Sequence, residues 1–524
     1  MWSDDMRQFL QLISNGFFLL VFLSSSACFS SAKPNVVLIV ADDLGWADVG
    51  YHGSPIQTPS IDRIAAEGVT LERFYAAPIC SPTRAGLLTA RDPIRLGIAY
   101  DQIHPWYNAG LARDEYLLSE ALLDGGYQTG IVGKWHLGHS QQHQLPNAQG
   151  FDHFFGHLHT NTDFYTHRRE NGHDLQHNGV SVHRSGEYLT HIEARQAESY
   201  IESRDKDRPF FLYVPFTAPH SPMQAPPETI QKYQHISKLG YRRIYAAMVD
   251  EMDVAVGKIL HTLEEQEIMD NTIVVFISDN GGSNYFGGNN MPLRGQKGQT
   301  FDGAIRVPAV IRWPGNLKSG TVVNQTVSYL DLLPTLIAAT GVDVQLPKAI
   351  DGENMWPALR DGTSIKRDQP LFFVSEIPVP GMIWTAVIDG SMKLVQVIRE
   401  GHTETSLNSF LFDIHKDPTE RNNLASRNPA EVARLAELIR QRRSLHPLAG
   451  TRGTLVPHPG WIPPSDWASA VHSSDELQLE WSNELPFSEA LIKQIGERGV
   501  LVDDETREAL RQQSMQTQKA LEKD

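Results

Sequence analysis

Four runs of consecutive apolar residues stand out along the chain: NVVLIVA from Asn35, TGIVG from Thr129, PFFLYVPF from Pro209 and NTIVVFIS from Asn271. None alternates apolar with polar positions, so each predicts a short strand buried on both faces. Between them, apolar residues recur at intervals of three and four in SIDRIAAEGV, LLSEALLDGG and the long RRIYAAMVDEMDVAVGKILHTLEEQ. That spacing gathers them on one side of a helix. Strands alternating with helices predict an α/β domain: a large, mixed but mainly parallel sheet sandwiched by helices.

From about residue 366 the pattern shifts to QPLFFVSE, WTAVIDG and MKLVQVI, then FLFDIHKDPTERNNLA and a helical PAEVARLAELIRQRRS. These predict a smaller C-terminal antiparallel sheet covered by one helix. The expected division is 1–32 as a signal peptide, 33–365 as the main domain and 366–450 as an α+β subdomain. Residues 451–524 form a peripheral extension, either helical or without fixed structure.

The N-terminus places the protein outside the cytoplasm. Its apolar run, Phe17 to Leu23, is too short to span a bilayer and is followed by small residues with a cleavage site at Ser30-Ser31-Ala32. This reads as an export signal, leaving a mature chain with no transmembrane span. Asp4 and Asp5 are out of place in a leader, and a start at Met6 restores a basic opening at Arg7. Cys28 offers an alternative, a lipid anchor, although Ser25 stands where an aliphatic residue is expected. Once the leader is removed, Cys80 is the one remaining thiol and no intrachain disulfide can form. Export without disulfides suits a bacterial periplasm, with secretion as the other destination. The net charge of -16 argues against a nucleic-acid partner. A local positive pocket can still take a small anion.

In an open parallel sheet, ligands bind beyond the carboxyl ends of the strands. All four runs end there in polar groups: Asp42-Asp43, Lys134-Trp135-His136, the TAPH segment with His220, and Asp279-Asn280-Gly281-Gly282. Singly, each has an ordinary reading as a cap, a turn or a satisfied buried histidine. Together at one sheet edge they describe a site. Three carboxylates and an amide oxygen at one point need a cation. Oxygen ligands suit a hard divalent ion, Ca²⁺ before Mg²⁺, whereas zinc would draw on His or Cys. Asp42, Asp43, Asp279 and Asn280 are the candidate ligands.

Cys80 sits in YAAPICSPTRAGLLTARD, residues 75 to 92. Pro82 reads as the first helical residue with Ser81 as its cap. Cys80 then lies just ahead of free N–H groups that favour an anion, and Arg84, four residues on, reaches the same side. This describes an oxyanion site centred on residue 80. A cysteine-phosphatase loop would carry its arginine six residues after the cysteine, where this chain has Gly86. A soft thiolate is also a poor partner for a hard ion. A buried inert cysteine is the ordinary alternative, against which Arg84 and the strand-end groups argue.

CSPTRAGLLTAR resembles the signature of the type I sulfatases, formylglycine-dependent enzymes of the alkaline phosphatase superfamily. NVVLIVADDLGWADVG, GYQTGIVGKWHLG, GFDHFFG, FTAPHSPM, ISDNGG, LRGQKGQTFDGAIRVP and LFDIHKDPTERNNLA also resemble sulfatase blocks, in the family's order, from about Asn35 to Leu424. The motifs are most similar to the branch containing arylsulfatase B (N-acetylgalactosamine 4-sulfatase) and bacterial polysaccharide sulfatases. The resemblance implies an alkaline-phosphatase-like fold and hydrolysis of sulfuric esters, on a sulfated saccharide or aryl sulfate. It implies that Cys80 is oxidised to formylglycine (3-oxoalanine) by a formylglycine-generating enzyme. One Ca²⁺ would be held by Asp42, Asp43, Asp279, Asn280 and the modified Cys80. Arg84, Lys134 and Lys297 would hold the sulfate oxygens, with His136 and His220 in proton transfer. Lys297 enters through the resemblance alone; its glycine-flanked loop otherwise reads as a solvated turn.

The chain departs from the family pattern at two places. Thr83 stands where the signature usually has serine, and FDGAIRVP puts Asp302, Gly303 and Ala304 where a glutamate and paired glycines are usual. Two other functions compete: a phosphate or phosphonate ester hydrolase of the same superfamily, and a non-catalytic glycan-binding protein with unmodified Cys80. Asn280 stands where two-zinc phosphatases commonly place a histidine, which favours one hard ion. GHLHTNTDFYTHRRENGHDLQHNGVSVH, from Gly156, reads either as a sugar pocket or as a polar surface loop.

Overall fold

A computed structural model describes residues 33–237, 240–376, 382–400, 405–447, 457 and 460–471. The leader with Cys28, the choice between Met1 and Met6, and the tail beyond residue 471 lie outside these residues.

The main sheet is built, in chain order, from β1 (Asn35–Ala41), β2 (Val69–Leu71), β3 (Gln128–Lys134), β4 (His153–His157), β5 (Gln176–His177), β6 (Val180–Ser181), β7 (Phe210–Pro215), β8 (Thr272–Ser278), β9 (Ala309–Arg312) and β10 (Thr321–Val323). Across the sheet the order is β10-β2-β9-β8-β1-β7-β3-β4-β5-β6. The four apolar runs are therefore the consecutive strands β8, β1, β7 and β3 at its centre, and all are mutually parallel. Antiparallel pairs occur only toward the edges, at β8/β9, β9/β2, β4/β5 and β5/β6. The sheet is mixed and mainly parallel at its core, as the strand composition predicts.

Strand side chains alternate between faces, so an unbroken apolar run must feed two cores. Val36, Leu38 and Val40 of β1 join one cluster and Val37, Ile39 and Ala41 the other. The second face is covered by α1 (Pro59–Glu67), α4 (Leu189–Ser203) and α5 (Gly240–Glu265). Against the first lie α2 (Cys80–Thr89), α3 (Leu118–Asp124) and α6 (Leu332–Thr340).

The C-terminal sheet is an antiparallel meander of β11 (Leu371–Ser375), β12 (Met382–Asp389), β13 (Met392–Glu400) and β14 (Thr405–Asp413). One face packs on α7 (Pro429–Arg443) through Leu435 and Ile439. The other sends Phe373, Trp384, Val395 and Phe412 into the same cluster as β1 and α2. Part of the extension is docked: Trp467 is buried, and its Nε1 donates to the Arg169 carbonyl at 2.9 Å. No helix among the described residues is long and apolar enough to cross a membrane.

Candidate active site

Because β8, β1, β7 and β3 are adjacent and parallel, their C-terminal ends open on one edge. The groups that follow them are brought together there. Asp42, Asp43, Lys134, His136, Asp279 and Asn280 are each no more than 3% exposed, and His220 9%. Two of them, Asp43 (φ 67°) and His136 (φ 59°), hold left-handed backbone conformations unusual for non-glycine residues. Such strain clusters where a site over-determines the chain.

Helix α2 differs from expectation at its start. It begins at Cys80, with Ile79 in the capping position and no side-chain cap. Ser81 is not the cap: its hydroxyl donates to the His136 carbonyl (3.0 Å) and accepts from Ile103 N–H (3.2 Å). The physical reason is that tertiary partners take the Ser81 oxygen, while Pro82 sits within the first turn, where N–H groups have no intrahelical partner anyway. Cys80 thus lies on the first helical residue. Its thiol donates to Asp42 Oδ1 at 3.2 Å and accepts from Lys297 Nζ at 3.4 Å. Burial, reinforced by Asp279 and Asp42, pushes the thiol well above the ordinary cysteine range. It stays protonated at neutral pH, so a thiolate nucleophile is disfavoured.

Three cations face three carboxylates around Cys80. Arg84 directs Nε and Nη2 to Asp279 Oδ2 (3.0 and 2.8 Å), Nη1 to the Lys134 carbonyl (3.1 Å), and lies 3.5 Å from Asp42. Lys134 donates to Asp42 Oδ2, and Lys297 Nζ is 2.7 Å from Asp43 Oδ1. Burial would raise the Asp42 carboxyl, but Lys134, His220, Arg84 and Lys297 outweigh it and hold it far below the carboxylate range. Burial, helped by the neighbouring Asp42 charge, pushes Asp279 up to about 6.

The histidines are held neutral. Burial, then Lys134 and Arg84, drives His136 well below its usual value. Its Nε2 pairs with the Ile103 carbonyl at 3.1 Å, so Nε2 carries the proton. Nδ1 is buried without a hydrogen-bond partner among the described residues. Burial, then Lys297, lowers His220 to about 4. His220 Nδ1 donates to the Ser221 carbonyl at 2.7 Å, and Nε2 lies 3.7 Å from Asp43 Oδ2.

The donor set fits a cation. Ligand atoms of Asp42, Asp43, Cys80 and His220 lie within 4.8 Å of one another. Asp279 adjoins them, accepting from the Asp43 N–H at 3.3 Å. Asn280 donates through Nδ2 to Asp43 Oδ1 (2.8 Å) and the Gly281 carbonyl (3.0 Å), which leaves its buried Oδ1 without a partner. An amide oxygen buried and unsatisfied beside clustered carboxylates is what an oxygen-coordinated hard ion needs.

Several supporting groups lie in stretches that the sequence singles out without giving them partners. Thr83 Oγ1 donates to the Asp279 carbonyl at 2.5 Å, so the threonine that departs from the signature keeps a hydroxyl contact. His157 Nε2 pairs with Thr217 Oγ1 at 2.6 Å behind the site. The His- and Asn-rich segment reaches it too: Asn161 Nδ2 donates to the Ser221 carbonyl (2.8 Å), and Arg169 Nη1 to Asn161 Oδ1 (2.6 Å). Only partner chemistry specified in other segments could have revealed these roles.

Buried carboxylates and cations at the carboxyl edge of a helix-sandwiched parallel sheet agree with the alkaline-phosphatase-like hydrolase that the sequence motifs imply. The sulfatase family model matches residues 34–342 and that of the N-sulphoglucosamine sulphohydrolase C-terminal region residues 296–444. The chain belongs to the sulfatase family, and it is a sulfatase. Mouse arylsulfatase J is 32% identical over 454 residues, covering 78% of this chain and 76% of the relative. Human N-acetylgalactosamine-6-sulfatase is 37% identical over 365 residues, covering 65% and 68%. The crystal structure of Ps i-CgsB in complex with k-i-k-neocarrahexaose superposes with a TM-score of 0.73 at 32% identity, covering 83% of this chain and 95% of the other.

Proposed function

We propose that this sulfatase releases sulfate from a sulfated glycan, using a formylglycine made from Cys80 and one calcium ion. The observation that carries the reading is the setting of Cys80: a buried, protonated thiol ringed by three cations and three carboxylates. That setting suits a hydroxyl nucleophile and an anionic substrate far better than a thiolate.

The Cys80 sulfur stands in for the hydroxyl oxygen of the modified side chain. Formed there, formylglycine would supply the paired hydroxyls of a hydrated aldehyde in place of the thiol, and a bound calcium would supply a Lewis acid beside them. Asp42, Asp43, Asp279 and Asn280 would hold the ion, with residue 80. Arg84, Lys134 and Lys297 bind the sulfate oxygens and stabilise the charge that develops on them. Asp279 and, at Nδ1, the nitrogen not bonded to Ile103, His136 would each accept a proton from the modified side chain of residue 80. Lys297 would give the departing alcohol its proton, and His220, neutral with its proton on Nδ1, would assist it as a hydrogen-bond acceptor.

Residues 33–365 carry this chemistry, 366–450 form the supporting subdomain, and 451–524 are an extension whose described part docks beside Arg169. The signal at 1–32 exports the chain to the periplasm or medium, and a formylglycine-generating enzyme matures it. A saccharide substrate is supported by the contact of the His- and Asn-rich segment with Ser221, next to His220.

The test combines peptide mass spectrometry with kinetics on protein co-expressed with the maturing enzyme. We expect the peptide carrying residue 80 to have lost its thiol for an aldehyde, and aryl sulfate to turn over faster than aryl phosphate. An intact thiol in fully active enzyme, or faster phosphate turnover, overturns the reading.

A further inference from the structure

The tip of the loop bearing Lys297 is tied by the Lys297 N–H to the Gly282 carbonyl (3.3 Å) and the Gly298 N–H to the Pro78 carbonyl (2.9 Å), while Gly295 (φ 94°) and Gly298 (φ 82°) contribute no side chains. Its base is held from outside. The Gly303 N–H bonds to the Arg294 carbonyl at 2.6 Å and closes the loop. Just before that closure, Asp302 is fully buried and receives Lys393 Nζ of β13 on Oδ1 at 2.7 Å. The same ammonium lies 2.8 Å from Glu420 Oε1, and the other Glu420 oxygen accepts the Asp302 N–H at 2.7 Å. At the opposite end of the loop, Arg294 donates to the Glu420 carbonyl at 3.1 Å and stacks 3.9 Å over Phe301. Phe301 in turn packs against Trp384 of β12 and Phe410 of β14.

We propose that Lys393 and Glu420, from the C-terminal sheet and the turn after it, are positioning residues for Lys297: with Asp302 they form a buried ion cluster that fixes the loop so that the ammonium faces residue 80. The inference rests on the reading of Lys297 as a sulfate-binding group. All three side chains have no exposure, so no water can replace a missing partner. At residue 302, where the family pattern has a glutamate, the aspartate carboxylate meets the Lys393 ammonium directly and accepts from the Tyr75 hydroxyl at 3.3 Å. Lys393 touches neither Cys80 nor any candidate metal ligand; it acts only through the loop.

The test is a set of variants assayed on 4-nitrophenyl sulfate: Lys393→Met, Glu420→Gln, Lys297→Ala, and each of the first two combined with Lys297→Ala. Misplacement of a binding group by about 1 Å costs on the order of 10²-fold in rate, and a loss of that size in kcat/KM is expected for Lys393→Met and Glu420→Gln. In the Lys297→Ala background the same changes should cost less than about twofold, because residues acting as a unit are not additive. Equal losses in both backgrounds overturn the proposal. Glu420→Gln is isosteric and reads the question if Lys393→Met does not fold. Independently of turnover, hydrogen exchange in peptides covering 294–300 should speed up in Glu420→Gln while that of 35–41 stays unchanged; an unchanged loop overturns the proposal. If the wild-type protein released no sulfate, the functional reading would fail, and exchange would still report on the loop.

Discussion

Arg84 has no exposed surface and divides its guanidinium among the Asp279 carboxylate, the Asp42 carboxylate and the Lys134 carbonyl. Lysine cannot reproduce that spread, since it offers a point charge where two N–H groups converge on one Asp279 oxygen and a third reaches the Lys134 carbonyl. Arg84→Lys should therefore retain most of the stability and lose about 10²- to 10³-fold in kcat, the usual loss when one transition-state donor is removed. Arg84→Met removes the charge as well and leaves Asp279 without its cation. It should cost about 3–5 kcal/mol in chemical denaturation, as breaking a buried pair does. His136 yields a prediction of opposite kind. Its proton affinity is lowered by burial and by Lys134 and Arg84, so its neutral, proton-accepting form persists as pH falls through 6.5. The part of the acid limb of kcat on aryl sulfate that belongs to His136 should then lie below that of an ordinary imidazole; a limb centred near 6.5 and removed by His136→Gln would contradict this assignment. At this scale the sequence was readable where chemistry sits at a strand end, as for Asp42, Lys134 and Asp279. Ser81 was misjudged because its partners, Ile103 and His136, belong to other segments. Lys297 had only the family pattern to mark it, because its partners Asp43 and Cys80 lie more than two hundred residues earlier in the chain.

Strands β3 and β4 carry paired glycines directly before the catalytic edge. Gly133 and Gly156 are register partners, with φ of 130° and 154°. A Cβ on Gly156 would meet the Gly133 carbonyl oxygen at 1.9 Å, and one on Gly133 would meet the Pro215 oxygen at 2.2 Å. Backbone cannot swing aside as a side chain can, so these glycines set how closely β7, β3 and β4 approach just before Lys134. Gly156→Ala should destabilise by about 1–3 kcal/mol as an overpacked site and also depress turnover by moving Lys134. Gly130→Ala meets only the Tyr200 ring, at 2.6 Å, and a ring can rotate away; melting and kinetics on the pair of variants should rank Gly156→Ala as the more damaging in both. The long buried strands were legible as elements because an unbroken apolar run of this length has few alternatives between two helical layers. The two-residue strands β5 and β6 were not, since so short a ladder leaves no period in the sequence. The fourth C-terminal strand was hidden because FLFD opens a segment whose remainder is turn.

The whole molecule is organised so that separate stretches of chain meet at one charged point: the ends of β1 and β8, the start of α2 and the Lys297 loop. Nothing covalent links them, since Cys80 is a free thiol. Asp42, Asp43, Asp279 and the unpartnered Asn280 oxygen are thus the natural place for a bound ion to tie these elements together. An ion bound by the folded chain alone stabilises it by mass action, about 2.7 kcal/mol when its free concentration is about a hundred times Kd. Unfolding entropy near 2.1 cal/mol/K per residue, summed over several hundred residues, is about 1 kcal/mol/K, so the melting temperature should drop by about 3 °C on chelation. Turnover of aryl sulfate should vanish with it. Restoration should follow Ca²⁺ closely and Mg²⁺ weakly, because the smaller ion tolerates crowded carboxylates poorly and keeps its own waters. Zinc should be a poor substitute, as the pocket offers a single histidine, His220, and no thiolate once Cys80 is converted. The measurement is a paired thermal melt and assay of the mature enzyme across a calcium titration. Recovery by zinc at equal or lower concentration would mean that His220, rather than the carboxylates and Asn280, governs the ion.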